Sequence, residues 1–400
     1  MNIKGILYGI VFAAFILACT SPFAVNINSE KDYVIIEGGV TNLDEEMGVR
    51  IEITNSSIDY ESTKFSYTLF AQPNAILPLQ RAAVYVVVNG DERISLTEKE
   101  PGYYQFPSGF KGVVGNSYEL QIATENGKKY KSIPEVMEPV PAIENAYDEF
   151  NPEGIIYPGL DNKIPTNDVF VDFTDPADQQ NFYQWTWVDY ELQRTCATCR
   201  QGKYYRFETE NGETGDCYRD LTLNISNFYD YTCESLCWDK IYSYEVNTFT
   251  DQLTDGLPQR KKRVAQIPLF QSNPAMVAIR QNSLTVGAYR YLKLLENQAI
   301  QTGTLADTPP APIQGNVYNE ENVKELVLGY FNVSAVSEYR LMISRRNTEG
   351  AVLNSLFRII NKRSPNLEPE SNERPDIPLA ICKPSRFRSA DIPRGWIFGL

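Results

Sequence analysis

Residues 82–90 read AAVYVVVNG and carry the clearest local signal of fold in the chain. Valine and tyrosine are enriched in strands, because branched and aromatic side chains pack well on a pleated, half-buried surface. Asn89 and Gly90 tolerate the positive φ angles that a two-residue hairpin turn requires. The stretch therefore predicts a β-strand that ends in a tight hairpin.

Similar short strands lie on both sides of this hairpin. Residues 49–54 read VRIEIT, where apolar and polar side chains alternate as on a half-buried strand. Strand signals that recur every 8–12 residues or so indicate an immunoglobulin-type β-sandwich over residues 31–139. That range has no Cys and no Trp, so the disulfide of antibody domains is not expected. The other predicted strands of this range are 33–40, 103–106, 117–124 and 129–133.

Residues 140–165 are predicted to link the sandwich to the rest of the chain. Five prolines lie between residues 134 and 158, and they favour an extended, semi-rigid spacer. The acidic stretch 148–153, DEFNPE, offers carboxylates for Ca²⁺ but lacks the spacing of an EF-hand. A solvated acidic turn is the preferred interpretation of that stretch.

Residues 166–400 are expected to form a larger, disulfide-stapled β domain with one packed α-helix near 285–301. Ala288, Leu292 and Leu295 recur at helical spacing, and Gly303 provides a stop signal. The expected fold class is therefore mainly β, with a helix that packs on a sheet. The predicted strands of this part are 169–173, 181–190, 241–249, 263–267, 277–281, 325–333 and 339–344.

Six cysteines follow residue 19, and five of them fall between residues 196 and 237, a stretch with loop and turn signals. An even number of cysteines in an exported chain favours disulfides, and six allow 15 pairings that sequence does not resolve. The alternative is a zinc or iron–sulfur site that uses both the CxxC and the CxxxC pairs. The predicted disulfide cysteines are Cys196, Cys199, Cys217, Cys233, Cys237 and Cys382.

The N-terminus predicts export and a lipid anchor. Lys4 precedes an apolar run over residues 6–18, which is too short to span a bilayer as a helix. The residues before Cys19 have the form of a bacterial lipoprotein box, so residues 1–18 are a predicted signal peptide and Cys19 the lipidated residue. Residues 19–30 would be a tether. The alternative is an ordinary signal peptide with a chance Cys at the cleavage site.

Charge and composition limit the classes of function. The formal net charge of −14 argues against nucleic acid as a partner, which needs basic patches. The basic run 260–263, RKKR, is interpreted as a solvated loop. Histidine is absent from the chain, which removes His-dependent catalysis and His-ligated zinc. We therefore expect no catalytic residues, no metal and no cofactor.

Paired carboxylates are the one enzymatic chemistry left open. A glycoside hydrolase needs two acids that flank a bond of the substrate in a cleft. The candidates are Asp172, Asp175, Asp178 and Asp189, and no spacing singles out a pair among them.

The segments described so far resemble a lipoprotein family of Bacteroidota, known as domain-of-unknown-function family 4249. The resemblance rests on 34–42 (VIIEGGVTN), 169–185 (VFVDFTDPADQQNFYQW) and above all the ordered Gly, Pro and aromatic positions of 303–337. Members often end in a paired-cysteine motif. This chain keeps only Cys382, which leaves that cysteine to bond one of the 196–237 group.

The resemblance implies an outer-membrane lipoprotein, often encoded beside TonB-dependent transporters of the Sus type, and it implies no catalytic residues. We therefore expect a binding or accessory module in nutrient uptake. Its partners would be the bilayer, through acylated Cys19, and an outer-membrane β-barrel or TonB-dependent transporter. The expected side is the cell surface rather than the periplasmic face. A carboxylate-pair hydrolase and a purely structural envelope scaffold are the alternatives.

Overall fold

The computed structural model describes residues 32–55, 76–156, 163–210, 212–300, 311–349 and 365–399, with the side chains of 299 and 300 excepted. Cys19 and the predicted signal peptide lie outside these residues. More than half of the described residues are in strands, which confirms the mainly β fold class. No helix within the described ranges has the length and apolar character needed to cross a membrane.

Within the described residues, the strands form two β-sandwiches and a separate two-stranded sheet, and there is one helix, α1, at Val286–Ile300. The first strands are β1 Val34–Thr41, β2 Gly48–Thr54, β3 Ile76–Pro78, β4 Ala83–Val88, β5 Glu92–Glu100, β6 Tyr103–Gln105, β7 Ser117–Ala123, β8 Lys129–Ser132 and β9 Glu135–Val136. The middle strands are β10 Asn145–Ile156, β11 Lys163–Thr174, β12 Phe182–Arg200, β13 Gly202–Thr209, β14 Gly212–Arg219, β15 Phe228–Tyr242, β16 Asn247–Thr250, β17 Pro258–Pro268 and β18 Ala275–Ser283. The last strands are β19 Val317–Asn319, β20 Val327–Leu328, β21 Phe331–Ser334, β22 Val336–Ile343 and β23 Arg388–Ser389.

The first sandwich has the strand grouping of an immunoglobulin-type fold, as predicted. One layer has the order β6-β2-β1 and the other the order β5-β4-β7-β8. The predicted hairpin joins β4 to β5. Asn89 and Gly90 have φ angles of 51° and 81°, and the Asp91 amide donates to the Val88 carbonyl at 3.1 Å. This is the geometry that Asn-Gly favours.

Three short strands that follow α1 complete this first sandwich. β19 pairs antiparallel with β8, while β20 and β21 pair parallel with β1. Val317, Val327 and Phe331 are buried in the same core as β1–β8. Sequence analysis grouped these residues with the C-terminal part, because no local pattern shows which sheet a strand will join. We call residues 316–334, which reach both edges, the clasp segment.

The second sandwich packs the sheet β10-β11-β17 against the sheet built around β12, β15, β18 and β22. Their shared core holds Phe173, Tyr183 and Trp185. Residues 145–156 of the predicted linker form strand β10, at the edge of its sheet. Its pairing with β11 is interrupted between Asn151 and Ile155, the interval that contains Pro152. A proline is accepted there because an edge strand at a bulge does not need its amide.

The helix packs on the second sandwich, as predicted, and it begins at a threonine cap. The Thr285 hydroxyl accepts a hydrogen bond from the Ala288 amide at 3.2 Å. Ala288, Tyr289 and Leu292 pack in one apolar cluster with Phe182 at the start of β12, and Leu284 and Tyr330 belong to the same cluster. These contacts bury one face of α1, and the first turns of the other face remain exposed.

Candidate functional site

A cleft opens where the two sandwiches and α1 meet. Its volume is about 700 Å³, within the roughly 300–1,000 Å³ of typical ligand sites. One wall consists of residues 133–139, which follow β8, and another consists of the first turns of α1. Residues 179–182 at the start of β12 and residues 314–316 before β19 complete the lining, together with Tyr330.

Three side chains form a polar base in this cleft: Glu135, Asn316 and Tyr330. The Tyr330 hydroxyl donates to Glu135 Oε1 at 2.5 Å, and Asn316 Nδ2 donates to the same oxygen at 3.3 Å. Asn316 also bonds the backbone of Phe331 in both directions, so its orientation is fixed. Burial, and next the negative charge of Glu135, raise the pKa of Tyr330, which therefore stays protonated as a donor.

Gly287 allows the helix to start close to this polar base. A Cβ atom at Gly287 would lie 2.7 Å from the Tyr330 hydroxyl and 3.3 Å from Glu135 Oε1. The Tyr330–Glu135 contact would have to shift to accommodate it. The glycine thus permits the second residue of α1 to line the cleft without a side chain.

The mouth of the cleft carries four large apolar side chains, which we call the apolar rim: Ile133, Val136, Val286 and Leu294. Each is between 41% and 56% exposed. Single exposed apolar residues are common, but several around one cleft are characteristic of an interaction site. The cleft can therefore accommodate a partner with an apolar face and a hydrogen-bond donor for the polar base.

The cysteines form three disulfides. The pairs are Cys196–Cys233, Cys199–Cys217 and Cys237–Cys382. The sulfur atoms that the zinc or iron–sulfur alternative would require are thus all in disulfides. The disulfides lie around a small third core that includes Tyr204 and Tyr231. The stretch 196–237, which was predicted to be rich in loops, consists mostly of strands β12–β15.

The basic run 260–263 lies in β17 and not in a loop, and three of its four charges face acids of the same domain. Arg260 pairs with Glu144 at 2.5 Å, and Lys261 pairs with Glu149 at 2.6 Å. Arg263 lies 3.5 Å from Asp168, and the Lys262 ammonium lies over the rings of Trp185 and Phe249. Sequence reasoning predicted only residues 263–267 of this strand, because the side chains of its first half are mostly charged and exposed. The acidic stretch 148–153 lies in β10, where it supplies part of these pairs.

None of the four predicted candidate acids lines the cleft. Asp172 accepts a hydrogen bond from the Lys261 amide at 2.8 Å, and Asp178 is exposed in a turn. Asp175 is buried beside Asp251. A glycosidase instead needs two acids that flank a substrate bond in an open cleft.

Asp189 lies in a buried charge cluster with Glu191 and Arg345. Arg345 Nη1 lies 2.7 Å from Glu191 Oε1, and Arg345 Nη2 lies 4.0 Å from Asp189 Oδ2. All three side chains are at most 1% exposed. Burial, and then the neighbouring charge of Glu191, raise the pKa of Asp189 well above its ordinary value. The cluster can hold a proton inside the second sandwich, but a substrate cannot reach it.

Sequence reasoning missed the polar base. Glu135 and Tyr330 are 195 residues apart, and each lies in a stretch that reads as an ordinary strand or strand end. The usable signal was Gly287, a glycine in the first turn of a predicted helix, because it permits a close approach of other groups. Cys19, the predicted lipidation site, lies outside the described residues.

A family model described as "Domain of unknown function (DUF4249)" matches residues 20–340. The match includes both walls of the cleft, the polar base and five of the six disulfide cysteines. Residues 341–400, which hold Cys382, lie beyond it. Neither the search of curated proteins nor the search of solved structures found a match.

Proposed function

The chain belongs to the DUF4249 family, and from this premise we propose that it is a non-catalytic binding module of the outer membrane. Its cleft would dock a β-barrel partner, a TonB-dependent transporter that takes up nutrients. The lipid on Cys19 would hold the module at the membrane, with the cell surface as its expected side.

The apolar rim above a rigid polar base is the observation that carries this proposal. Contact of four aliphatic side chains with water is unfavourable. Burial against an apolar partner surface would stabilise the complex by about 25 cal/mol per Å² of apolar area removed from water. The polar base adds orientation, because a buried acceptor such as Glu135 penalises a partner that brings no donor. This combination is typical of a recognition site.

The start of the family match supports the proposed anchor. The match begins at residue 20, one position after Cys19. A leader that is cleaved before Cys19 would leave a mature chain that begins one residue before the family match. One acyl chain holds a protein only marginally, so the two or three chains of a bacterial lipoprotein are needed for stable residence.

Co-purification under mild detergent tests the partner. A tagged chain that is expressed in its own cells should recover a β-barrel in a stoichiometric amount. Leu294→Asp places a charge on the apolar rim and should lower the recovered barrel at least tenfold, because the carboxylate must be desolvated on docking. Leu294 is 53% exposed on α1, so the change should leave the fold intact.

Leu221→Asp is the matched control. Leu221 is 77% exposed in the turn between β14 and β15 and does not line the cleft. It should recover the barrel as the unmodified chain does. Absence of any barrel with the unmodified chain would contradict the proposed partner. Equal losses from both variants would contradict the role of the cleft.

A further inference from the structure

Three carboxyl groups from two loops meet at one side of the second sandwich. Asp175 follows β11, whereas Asp251 and Asp255 follow β16. Each offers a carboxylate oxygen, and these oxygens all lie within 4.8 Å of one another. Asp175 is 2% exposed and Asp251 is 1% exposed, while Asp255 faces the solvent. Two buried acids are thus covered by a third, exposed one.

The protein satisfies these acids only in part. Asp175 Oδ1 accepts from the Tyr183 hydroxyl at 2.6 Å, and Asp251 Oδ2 accepts from the Asn181 amide at 2.8 Å. Asp251 Oδ1 is fully buried and has no hydrogen-bond donor, and the same is true of the buried hydroxyl oxygen of Thr254. Within the described ranges none of the three aspartates pairs with a Lys or Arg. Buried charges without a counter-charge are costly.

We propose that Asp175, Asp251 and Asp255 form a Ca²⁺ site. Calcium prefers oxygen ligands at about 2.3–2.6 Å, and two oxygens that each lie about 2.4 Å from one ion are at most about 4.8 Å apart. The observed spacing of the three oxygens fits that limit. Asp251 Oδ1 and Thr254 Oγ1, from the same loop, are buried oxygens without a hydrogen-bond donor. A donor set made only of oxygens favours a hard cation such as Ca²⁺ over metals that prefer nitrogen or sulfur ligands.

The ion would join two loops, one of which leads to the cleft. Asp251 holds the backbone of Asn181, and Asn181 and Phe182 line the cleft. The Gly256 amide also donates to Asp175 Oδ2, at 3.4 Å, and so links the two loops. Calcium would therefore order the wall formed by residues 179–182. The metal site itself does not depend on the proposed docking function.

Calorimetric titration of the full chain in detergent, after removal of metals with EDTA, tests the site. We expect one Ca²⁺ per chain with a Kd on the order of 10⁻⁴–10⁻³ M, as in extracellular modules, and a Tm that rises with CaCl₂. Asp255→Asn should weaken Ca²⁺ affinity at least tenfold. Because Asp255 is exposed, this variant should fold like the unmodified chain.

Asp178→Asn is the matched control, since Asp178 is an exposed aspartate of the same loop as Asp175. It should bind Ca²⁺ with unchanged affinity. A proton shared by Asp175 and Asp251 is the competing explanation, and it predicts a Tm that responds to pH but not to CaCl₂. That result would overturn the proposal. Absence of Ca²⁺ uptake at about 10 mM, roughly ten times the Kd of the weakest such sites, would overturn it too. Equal affinity in Asp255→Asn would overturn it as well.

Discussion

At the scale of single residues, the buried cluster of Asp189, Glu191 and Arg345 is the costliest feature of the second sandwich. Asp189 and Glu191 continue the inward face of β12 that carries Trp185, so they enter the space between two sheets. Arg345 also donates to the backbone carbonyls of Gln271 and Asn273 at 3.0 and 3.2 Å. One cation thus faces two acids, one of which can carry a proton, and it also holds a loop.

Arg345→Met should lower the free energy of unfolding by about 3–5 kcal/mol, because it leaves buried acids without a counter-charge. Urea unfolding monitored by tryptophan fluorescence measures this loss. Arg346→Met is the control, since Arg346 is exposed and makes only a 3.4 Å contact with the Gly399 carbonyl. Its effect should stay within about 0.5 kcal/mol. Similar losses in both variants would contradict the role of the buried cation.

The raised pKa of Asp189 predicts a pH dependence of stability. Above the unfolded pKa of about 3.9, the folded chain binds the proton at Asp189 more tightly than the unfolded chain does. The contribution of Asp189 to stability is therefore fully present below that pKa and is lost as the pH rises through the folded pKa. Asp189→Asn cannot titrate, so its unfolding free energy should decrease less than that of the unmodified chain between pH 4 and neutrality. Parallel pH profiles would refute this.

At the scale of elements, inward side chains decide which strands are visible in the sequence. β4 buries Val84, Val86 and Val88, so the period of the strand is evident. β5 buries only Leu96, and apart from the partly buried Ile94 its other residues are polar, because it bends from one layer of the sandwich to the other. Its pairing partners change from β4 to β6 along its length. A strand of this kind has no clear local pattern.

The Cys237–Cys382 disulfide should stabilise the fold more than the Cys199–Cys217 disulfide. The pairs close loops of 145 and 18 residues, and in the chain-entropy model the longer loop contributes about 2 kcal/mol more. We expect Cys237→Ser/Cys382→Ser to lose that much more unfolding free energy than Cys199→Ser/Cys217→Ser, as measured in urea. A larger loss from the shorter loop would show that strain or packing outweighs loop closure here.

At the scale of the whole molecule, the chain returns to its first sandwich after it has built most of the second. The clasp segment supplies Asn316 and Tyr330 to the polar base, and Glu135 comes from the first pass of the chain. Gly39 and Gly329 permit this return, because a Cβ atom on either would lie within 2.3 Å of a backbone oxygen of the opposing strand. The two sandwiches are also joined by Arg280 and Glu45, 2.6 Å apart. The cleft thus exists only in the assembled molecule.

Cys19→Ser should release the chain from membranes. Removing the acyl chains removes about 0.8 kcal/mol of anchoring for each buried methylene. Ultracentrifugation of lysed cells should then find the variant in the soluble fraction and the unmodified chain in the membrane fraction. Cys199→Ser, which removes a cysteine of a disulfide, should stay with the membranes. An unchanged distribution of Cys19→Ser would contradict the lipid anchor.

Local chemistry by itself determined the mainly β fold, the first sandwich, the helix and the use of cysteines in disulfides. These follow from the period of apolar side chains, from turn residues and from the even number of closely spaced cysteines, which are all visible along the sequence. Only the tertiary structure decided that the clasp segment joins the first sheet, which cysteines pair, and that Glu135 meets Tyr330. Such pairings depend on long-range packing between segments 145 to 195 residues apart. No local preference along the chain encodes them.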